Sequence, residues 1–134
     1  MVVIVCDGSS KGNPGQASIG VVVWDRDNPR RLSPNHRYHG KLGIKTNMEA
    51  EWEALLYSVR YAFNFPDNEE VHIFSDSQTV VKQANGLWEI KHKNIVPLFK
   101  LFVEAMKGRR NIYINWIPRQ LVYLADKEAA KENG

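Results

Sequence analysis

Cysteine is nearly absent from this sequence of 134 residues, in which Cys6 is the only one. A disulfide framework is therefore excluded, a cysteine-rich metal site is disfavoured, and a reducing, cytoplasmic compartment is expected. Long apolar runs are also lacking: the opening VVIVC is too short for a signal peptide or a membrane span, so no membrane partner is expected. No repeat or linker divides the chain, which predicts a single domain over residues 1–134. We also expect a monomer.

No charge of one sign dominates, because 18 lysines and arginines stand against 15 aspartates and glutamates. The resulting net charge of +3 is compatible with a nucleic-acid partner but does not require one. Hydrophobic residues make up 43% of the chain and charged residues 25%, the proportions of an ordinary globular protein with a substantial core.

The hydrophobic pattern changes its period along the chain. Apolar, β-branched runs at 2–6 and 17–24 predict strands, and a more polar stretch around 36–43 predicts a third. From Asn47, which stands in the cap position, apolar side chains recur at helical spacing. The remaining elements are predicted as strands over 71–75 and 111–117 and helices over 76–86, 94–108 and 123–132. The order β-β-β-α-β-α-α-β-α indicates an α/β fold, a five-stranded mixed sheet with helices packed on it.

Aspartates directly follow two of the predicted strands, Asp7 after the first and Asp76 after the fourth. A strand–helix–strand crossover makes its strands parallel, so both carboxylates should lie at one edge of the sheet. Taken alone, Asp7 before a glycine is typical of a turn and Asp76 is typical of a helix cap. Two carboxylates held close together repel, however, and are usually kept because a cation or a proton sits between them. The pairing therefore favours a functional site at this edge.

Two glutamates of the first helix, Glu49 and Glu51, flank its apolar face on opposite sides at similar angles. Helical periodicity does not choose which of them joins the aspartates, and either can instead be an acidic first turn favoured by the helix dipole. Asp126 lies in LADKEAAKE, where its position is typical of a charge at the start of a terminal helix.

These acids stand in four motifs that resemble those of the type 1 ribonuclease H family. DGSSKGNPG resembles the opening D-G-S-x-x-G-N-P-G, and TNMEAEWEAL resembles the T-N-N-x-x-E segment of the first long helix. FSDSQTVV resembles the strand-end D-S-Q, and RQLVYLADKEA resembles the last motif, which ends in A-D. The motifs occur in the family's order and span nearly the whole chain. The resemblance implies an RNase H-like fold and hydrolysis of the RNA strand of RNA/DNA hybrids, giving 5′-phosphate and 3′-hydroxyl ends.

Carried over motif by motif, the resemblance implies a metal site. Because the family's glutamate lies five positions after the motif threonine, Thr46 selects Glu51 rather than Glu49. The implied cofactors are two Mg²⁺ or Mn²⁺ ions with substrate bound, for which carboxylate oxygens are suitable ligands. The implied catalytic and metal-binding residues are Asp7, Glu51, Asp76 and Asp126, with Gly8 as a further metal contact.

The resemblance also implies a surface that reads the hybrid. The 2′-hydroxyl groups that distinguish RNA from DNA are exposed in a wide minor groove. Thr46 is expected to hold a phosphate of the DNA strand, while the segment LWEIKHKN is either a reduced handle for that strand or a solvated loop. The implied substrate-binding residues are Gly8, Ser9, Asn13, Thr46, Asn47, Gln78, Trp88 and Arg119.

Departures from the family pattern bear on activity. Met48 and Glu49 stand where a second asparagine and often a basic residue are found, which weakens the expected contacts to the hybrid. No histidine follows His92; Arg119 stands in that loop, as in a histidine-less subgroup without the long basic protrusion, and Val122 replaces that subgroup's asparagine. Two alternatives remain open: a nucleic-acid-binding module of the same fold with little or no cleavage, and a DNA-cleaving relative, which GNPG and D-S-Q disfavour.

Overall fold

The computed structural model of the protein describes residues 1–25 and 34–122. The helix predicted over 123–132, and Asp126 within it, lie outside the described residues. Over the two described stretches, none of the helices combines the length and the apolar content that crossing a membrane requires.

The described residues form a five-stranded sheet in the spatial order β3-β2-β1-β4-β5. Strand β1 (Val2–Gly12) lies at the centre, antiparallel to β2 (Gly15–Trp24) and parallel to β4 (Val71–Ser75). Strand β3 (His36–Lys45) is antiparallel to β2 at one edge, and β5 (Ile112–Trp116) is parallel to β4 at the other. The predicted five-stranded mixed sheet is confirmed, including the parallel alignment of β1 and β4.

Three helices accompany the sheet in the described part of the chain: α1 (Asn47–Ala62), α2 (Gln78–Ala84) and α3 (Val96–Met106). A single 3₁₀ turn over Arg119–Val122 follows β5. The helices occur in the predicted order. Every residue from 85 to 95 is described, and this stretch between α2 and α3 contains no helix and hence no long helical protrusion.

The start of α1 corrects one prediction, because its N-cap is Thr46 and not Asn47. The Thr46 Oγ1 accepts a hydrogen bond from the Glu49 N–H at 3.1 Å, and the Glu49 Oε1 accepts one from the Thr46 N–H at 2.9 Å. This reciprocal capping box satisfies two backbone donors and contributes about 1 kcal/mol to helix stability. Asn47 is instead the first helical residue, and its side chain is available for other contacts.

Strand β1 is longer than its predicted range of 2–6, and its length overturns the interpretation of Asp7 as a turn residue. The strand continues to Gly12, and Asp7 pairs with Gly20 of β2. The tight turn comes only at Asn13 and Pro14. Residues 7–12, which lie beyond the predicted strand, are therefore part of a hairpin strand that holds Asp7 on rigid backbone.

Apolar side chains cover both faces of the sheet. On one face, Trp52 and Leu55 of α1 lie in a fully buried cluster with Ile4 of β1. Complete burial of an aliphatic side chain such as Leu55 or Ile4 contributes about 1.5–3 kcal/mol, so α1 is anchored to the central strand. On the other face, Val5 packs in a smaller cluster with Val122. Val122, which replaces a polar residue of the family pattern, is thus a core residue.

Candidate active site

Parallel pairing of β1 and β4 brings two aspartates to one edge of the sheet. The last parallel pair joins Val5 to Phe74, and Asp7 and Asp76 each lie two residues beyond it. Asp7 is 1% exposed, so its carboxylate is held inside the protein rather than in solvent. The predicted position of both carboxylates at one sheet edge is confirmed.

Gly8 allows helix α1 to approach β1 beside Asp7. A Cβ atom at Gly8 would overlap the backbone carbonyl of Ala50 and the backbone amide of Glu51, so only glycine fits. The Gly8 backbone faces the Glu51 carboxylate and acts to lower its pKa, against larger effects that raise it. The resemblance implies metal and substrate contacts for Gly8, and the structure adds a packing role that brings Glu51 to the aspartates.

Asp7, Glu51 and Asp76 form a cluster in which one oxygen of each carboxylate lies within 4.8 Å of the other two. The Asp76 side chain is only 7% exposed, so water screens the three charges poorly. Burial first, and then the negative charges of Asp7 and Asp76, raise the pKa of Glu51 well above its ordinary value. The cluster therefore favours the uptake of a proton or a cation.

The donors of this cluster are carboxylate oxygens, and the neighbouring thiol does not join them. Cys6 is fully buried, and burial first, with the Glu51 charge second, raises the pKa of its thiol. The thiol therefore stays neutral, whereas a cysteine ligand must be deprotonated. A cluster of hard oxygen donors suits Mg²⁺, Mn²⁺ or Ca²⁺ better than Zn²⁺ or copper.

The structure resolves the choice between Glu49 and Glu51 that periodicity left open. Glu49 is held in the capping box by Thr46, and this hydrogen bond to the Thr46 backbone is the main reason why the Glu49 pKa is lowered. Glu51 lies in the next turn and faces the aspartates. The Thr-x-x-Glu spacing is a known signature of a capping box, so the sequence does contain a signal that assigns Glu49 to the cap.

Asp76 is not the cap of α2, so its carboxylate belongs to the cluster. The cap is Ser77, whose Oγ accepts a hydrogen bond from the Val80 N–H at 3.3 Å. The Asp76 Oδ2 instead accepts from Arg119 Nη1 at 3.3 Å. The Arg119 side chain is 72% exposed, so this ion pair adds little stability, but it places a positive charge at the rim of the cluster.

Two asparagines predicted to bind substrate have their side chains fixed by hydrogen bonds between the β1–β2 hairpin and the start of α1. The Asn13 Oδ1 accepts a hydrogen bond from the Asn47 N–H at 3.0 Å, and the Asn47 Oδ1 accepts from the Ser10 N–H at 3.0 Å. Both amide oxygens thus have protein partners, which orients their NH₂ groups as the donors that remain for a ligand. The hairpin tip and the start of α1 form one preorganised polar surface.

Trp88 lies in a groove next to this surface. Its ring is 45% exposed, and the Lys82 Nζ lies over it, 4.6 Å from the ring centroid. The groove has a volume of about 520 Å³ and is lined by Met48, Thr79, Gln83, Leu87, Trp88, Glu89, Lys91 and His92. The segment 87–94 is therefore part of a concave surface with exposed cations rather than an isolated loop.

A smaller groove of about 230 Å³ adjoins the first, since Met48 and His92 line both. Its other lining residues are Asn13, Thr46 and Asn94. Thr46 therefore lies at a concave site although its hydroxyl already serves the helix cap. The two grooves form a continuous surface that runs from the hairpin tip past the start of α1.

The other predicted residues take less central positions. Ser9 pairs with Ser18 in the β1–β2 ladder, and Gln78 is an exposed residue at the start of α2, close in sequence to Asp76. Asp126, the fourth predicted ligand, lies outside the described residues. The structure therefore brings together three of the four predicted carboxylates, with Arg119 beside them and Trp88 in the adjoining groove.

Two further residues, Trp116 beside the cluster and Asn94 in the smaller groove, are not among those predicted from the sequence. The Trp116 Nε1 donates a hydrogen bond to the backbone carbonyl of Asp76 at 3.1 Å. A signal for it exists, because Trp116 ends β5, a parallel strand beside β4, and parallel strands end at one edge. Nothing in the spacing marks Asn94, which depends on the path of an irregular segment.

Known proteins with similar sequences match this chain over most of its length. A family model described as "Reverse transcriptase-like" matches residues 5–132. The ribonuclease H of Helicobacter acinonychis is 33% identical over 122 residues, which cover 85% of this chain and 77% of that protein. A bifunctional protein of Mycobacterium tuberculosis is 36% identical over 131 residues, 96% of this chain, but the chain spans only 34% of that protein's length.

Solved structures show the same likeness. The structure of LC11-RNase H1 in complex with an RNA/DNA hybrid superposes with a TM-score of 0.87 at 29% sequence identity. The superposition covers 98% of this chain and 95% of that one. The similarity therefore extends over the strands, the helices and the edge of the sheet that carries the carboxylates.

Proposed function

The chain belongs to the type 1 ribonuclease H family, and we propose that it hydrolyses the RNA strand of RNA/DNA hybrids, leaving 5′-phosphate and 3′-hydroxyl ends. One observation carries the proposal: Asp7, Glu51 and Asp76 converge within 4.8 Å at the carboxyl end of parallel strands. The similarity to the ribonuclease H of Helicobacter acinonychis, which covers most of both chains, supports RNA/DNA hybrid as the substrate.

The three carboxylates fit a divalent cation that prefers oxygen ligands. Their mutual repulsion, which raises the pKa of Glu51, would be relieved by positive charge between them. We propose Mg²⁺ or Mn²⁺, two ions with substrate bound, held by these residues with Asp126 as a fourth ligand and the Gly8 backbone as a further contact. When bound, such ions lower the pKa of a water molecule and stabilise negative charge on the leaving 3′ oxygen.

The protein's own residues orient this site before substrate arrives. Asp7 would hold a cation together with Glu51 and Asp76, because β1 contacts both α1, which carries Glu51, and β4, which leads into Asp76. Arg119 donates to the Asp76 carboxylate and adds positive charge where the scissile phosphate would lie. Gln78, exposed at the start of α2, is proposed to donate to the RNA strand beside the cluster.

Recognition of RNA is proposed for the surface made by the hairpin and the start of α1. The amide NH₂ groups of Asn13 and Asn47 are donors suited to acceptors in the minor groove, and the Ser9 backbone lies on the same strand as Asp7. Because protein contacts already fix both amides, their ordering adds little entropic cost to binding.

The DNA strand is proposed to follow the two grooves. Thr46 would donate to a phosphate there, and the exposed Trp88 ring would stack on a base or sugar with Lys82 and Lys91 nearby as counter-charges. Glu49 opposes this attraction with a negative charge at the same helix end. Binding should therefore be weaker than in a relative with a basic residue at that position.

The alternative is a nucleic-acid-binding module of the same fold with weak or no cleavage. Met48 and Glu49, in place of polar and basic residues, favour it. Burial of Val122 removes one reason for it, because this residue packs in the core instead of marking a lost contact. Hybrid that is bound but left intact in Mg²⁺ and in Mn²⁺ would establish the alternative.

The test compares four labelled substrates, namely RNA/DNA hybrid, double-stranded RNA, single-stranded RNA and duplex DNA, each with Mg²⁺ or Mn²⁺. Cleavage of only the RNA strand of the hybrid is expected, with 5′-phosphate ends identified by ligation. Asp7→Asn should abolish cleavage while the circular dichroism spectrum is unchanged. Persistent cleavage by this variant would overturn the assignment of the site.

Oligomeric state and compartment are proposed on simpler grounds. We propose a monomer, to be checked by light scattering, because the family's activity needs one set of carboxylates. A reducing compartment such as the cytoplasm is proposed because the one cysteine, Cys6, is a buried free thiol. Fluorescence microscopy of a tagged chain tests it.

A further inference from the structure

The indole of Trp116 binds the backbone of a residue in the carboxylate cluster. Trp116 is the last residue of β5 and pairs with Ser75, the last residue of β4. Its Nε1 donates a hydrogen bond to the Asp76 carbonyl at 3.1 Å. The ring is 48% exposed, so burial of apolar surface alone does not account for its position.

The Asp76 carbonyl lies where two hydrogen-bonding patterns end. The parallel ladder of β4 with β5 ends at Ser75, and the Ile117 N–H still donates to the Ser75 carbonyl at 3.0 Å. Helix α2 takes its first acceptor one residue later, because the Val81 N–H donates to the Ser77 carbonyl at 3.0 Å. Within the described strands and helices, neither pattern supplies a donor to the carbonyl of Asp76, and the Trp116 indole does.

A fixed carbonyl restricts the backbone from which the Asp76 side chain extends toward the cluster. The peptide plane after Asp76 is set by the indole on one side and by Ser77 on the other, whose N–H donates to the Ser75 Oγ at 3.1 Å. With the backbone held at both points, the Asp76 Cα–Cβ bond keeps its direction, and only the staggered rotamers of the side chain itself remain. A group that holds a metal ligand in this way commonly changes metal affinity by about ten- to a hundredfold when removed.

We propose that Trp116 is a positioning residue that holds Asp76 in place for the divalent cation. The inference rests on the proposed function for the identity of the cation, but it concerns metal binding rather than cleavage. It requires the indole N–H and not only the ring. The competing role for an exposed tryptophan at this edge is stacking on a nucleic-acid base, which requires the ring and not the N–H.

Trp116→Phe separates the two roles, because it keeps an aromatic ring and removes the donor. The first measurement is calorimetric titration of the protein with Mn²⁺ and with Mg²⁺, without nucleic acid. Affinity for the metal alone is expected to fall by about tenfold, the lower end of the range for supporting groups. The second is steady-state cleavage of hybrid, where the variant should need about tenfold more Mg²⁺ and regain its kcat at high Mg²⁺, with KM for the hybrid unchanged.

Tyr113→Phe is the matched control. Tyr113 lies on the same strand, is 42% exposed and stacks on His72 away from the cluster, with ring centroids 4.8 Å apart. This variant also removes one polar hydrogen from an exposed aromatic residue of β5, and it should leave metal affinity unchanged. Thermal unfolding without metal should be similar for both variants, which tests whether Trp116→Phe acts by general destabilisation.

The outcomes are distinct. Equal metal affinity in the parent and Trp116→Phe proteins, or no metal binding by the parent, overturns the inference, as does a raised KM for hybrid with metal affinity unchanged. If the parent does not cut hybrid but Trp116→Phe still weakens metal binding, the proposed function fails and the role of Trp116 stands. If hybrid is cut and metal affinity is unaffected by the substitution, the proposed function stands and this inference fails.

Discussion

The two ends of the parallel strands carry acidic residues in opposite arrangements. At the amino end of β4, Asp67 accepts a hydrogen bond from Arg109 at 3.1 Å, and Glu69 lies 3.5 Å from the amino group of Met1. At the carboxyl end, Asp7, Glu51 and Asp76 face one another within 4.8 Å, and an exposed arginine pairs with Asp76 at the rim. Acids are paired with cations at one end and clustered with one another at the other.

The contrast shows that the cluster does not serve stability. Exposed pairs such as that of Asp67, whose side chain is 88% exposed, contribute at most about 1 kcal/mol to stability. Three buried like charges, by contrast, raise the free energy of the folded state unless a cation or a proton compensates them. The carboxylates at this end of the sheet therefore lower the stability of the metal-free protein while they create a site for a cation, as is common at functional sites.

Removing one acid from each end gives the largest expected difference. Glu51→Gln should reduce cleavage of hybrid by more than about a hundredfold, because even groups that only support a metal ligand cost about ten- to a hundredfold. The same variant should unfold at a higher temperature without metal, since a repelling charge is gone. Asp67→Asn should keep full cleavage and lose at most about 1 kcal/mol. Cleavage rates and thermal unfolding of both variants, measured together, provide the check.

Equal effects of Glu51→Gln and Asp67→Asn on cleavage would contradict the functional difference between the two ends of the parallel strands. Full cleavage by Glu51→Gln would mean that the cluster is not the metal site. Loss of cleavage in Asp67→Asn with the fold intact would mean that the amino end of the sheet takes part in function, against the arrangement of its charges.

The sequence predicted most of this fold because local signals agree with the tertiary structure. Strands 2–6 and 71–75 are rich in β-branched residues and are bounded by polar residues. The helical crossover between them predicts their parallel pairing, and this pairing predicts that Asp7 and Asp76 lie at one edge of the sheet. The extent of β1 was missed, because Gly8, Gly12 and the serines between them suggest a loop. Pairing with β2 overrides that local tendency, since each ladder bond satisfies a backbone group.

The candidate site was predictable to the extent that topology or motif placed its residues. Periodicity left Glu49 and Glu51 equivalent, and only the resemblance chose between them before the capping box assigned Glu49 to Thr46. Topology alone places Trp116 at the carboxyl end of β5. Its hydrogen bond from the indole to the Asp76 carbonyl was not predicted, because composition and spacing do not encode such a contact. The packing of Gly8 against α1 depends on the distance between a strand and a helix, which the sequence alone does not reveal.

Substitution of one glycine at each end of the sheet should have a smaller effect than removal of an acid. Gly8→Ala should push α1 away from β1, because the new Cβ atom would overlap backbone of Ala50, and should cost about 1–3 kcal/mol. Cleavage should fall by about ten- to a hundredfold, since a displacement of about 1 Å at a catalytic group can cost about a hundredfold. Denaturant unfolding and hybrid cleavage measure the two effects.

Gly108 supplies the control at the other end of the sheet. It adopts φ +72° after α3, and a Cβ atom added there would point into open space. Gly108→Ala should therefore cost about 1–2 kcal/mol through backbone conformation alone and leave cleavage by the folded protein unchanged. Equal losses of activity in Gly8→Ala and Gly108→Ala would show that stability, rather than the position of Glu51, controls the rate.

The smallest expected effect is on the pH dependence of stability without metal. The pKa of Glu51 in the folded protein lies above its ordinary value of 4.5, so the folded chain retains a proton that the unfolded chain has released. Stability associated with this proton is present below 4.5 and is lost as pH rises through the raised pKa. Glu49 acts in the opposite sense, because its pKa is lowered, and its contribution is lost as pH falls.

Variants of these two glutamates separate the two opposite effects of pH on stability. Glu51→Gln should remove the decline in unfolding temperature above pH 4.5, whereas Glu49→Gln should leave that decline in place and lower stability by about 1 kcal/mol through the lost cap. Millimolar Mg²⁺ should also remove the decline in the parent protein, because a bound cation favours the ionised carboxylate. If the unfolding temperature of Glu51→Gln still falls as pH rises, the group responsible lies outside the cluster. If the unfolding temperature of the parent protein still falls in saturating Mg²⁺, the cation does not bind among these three carboxylates.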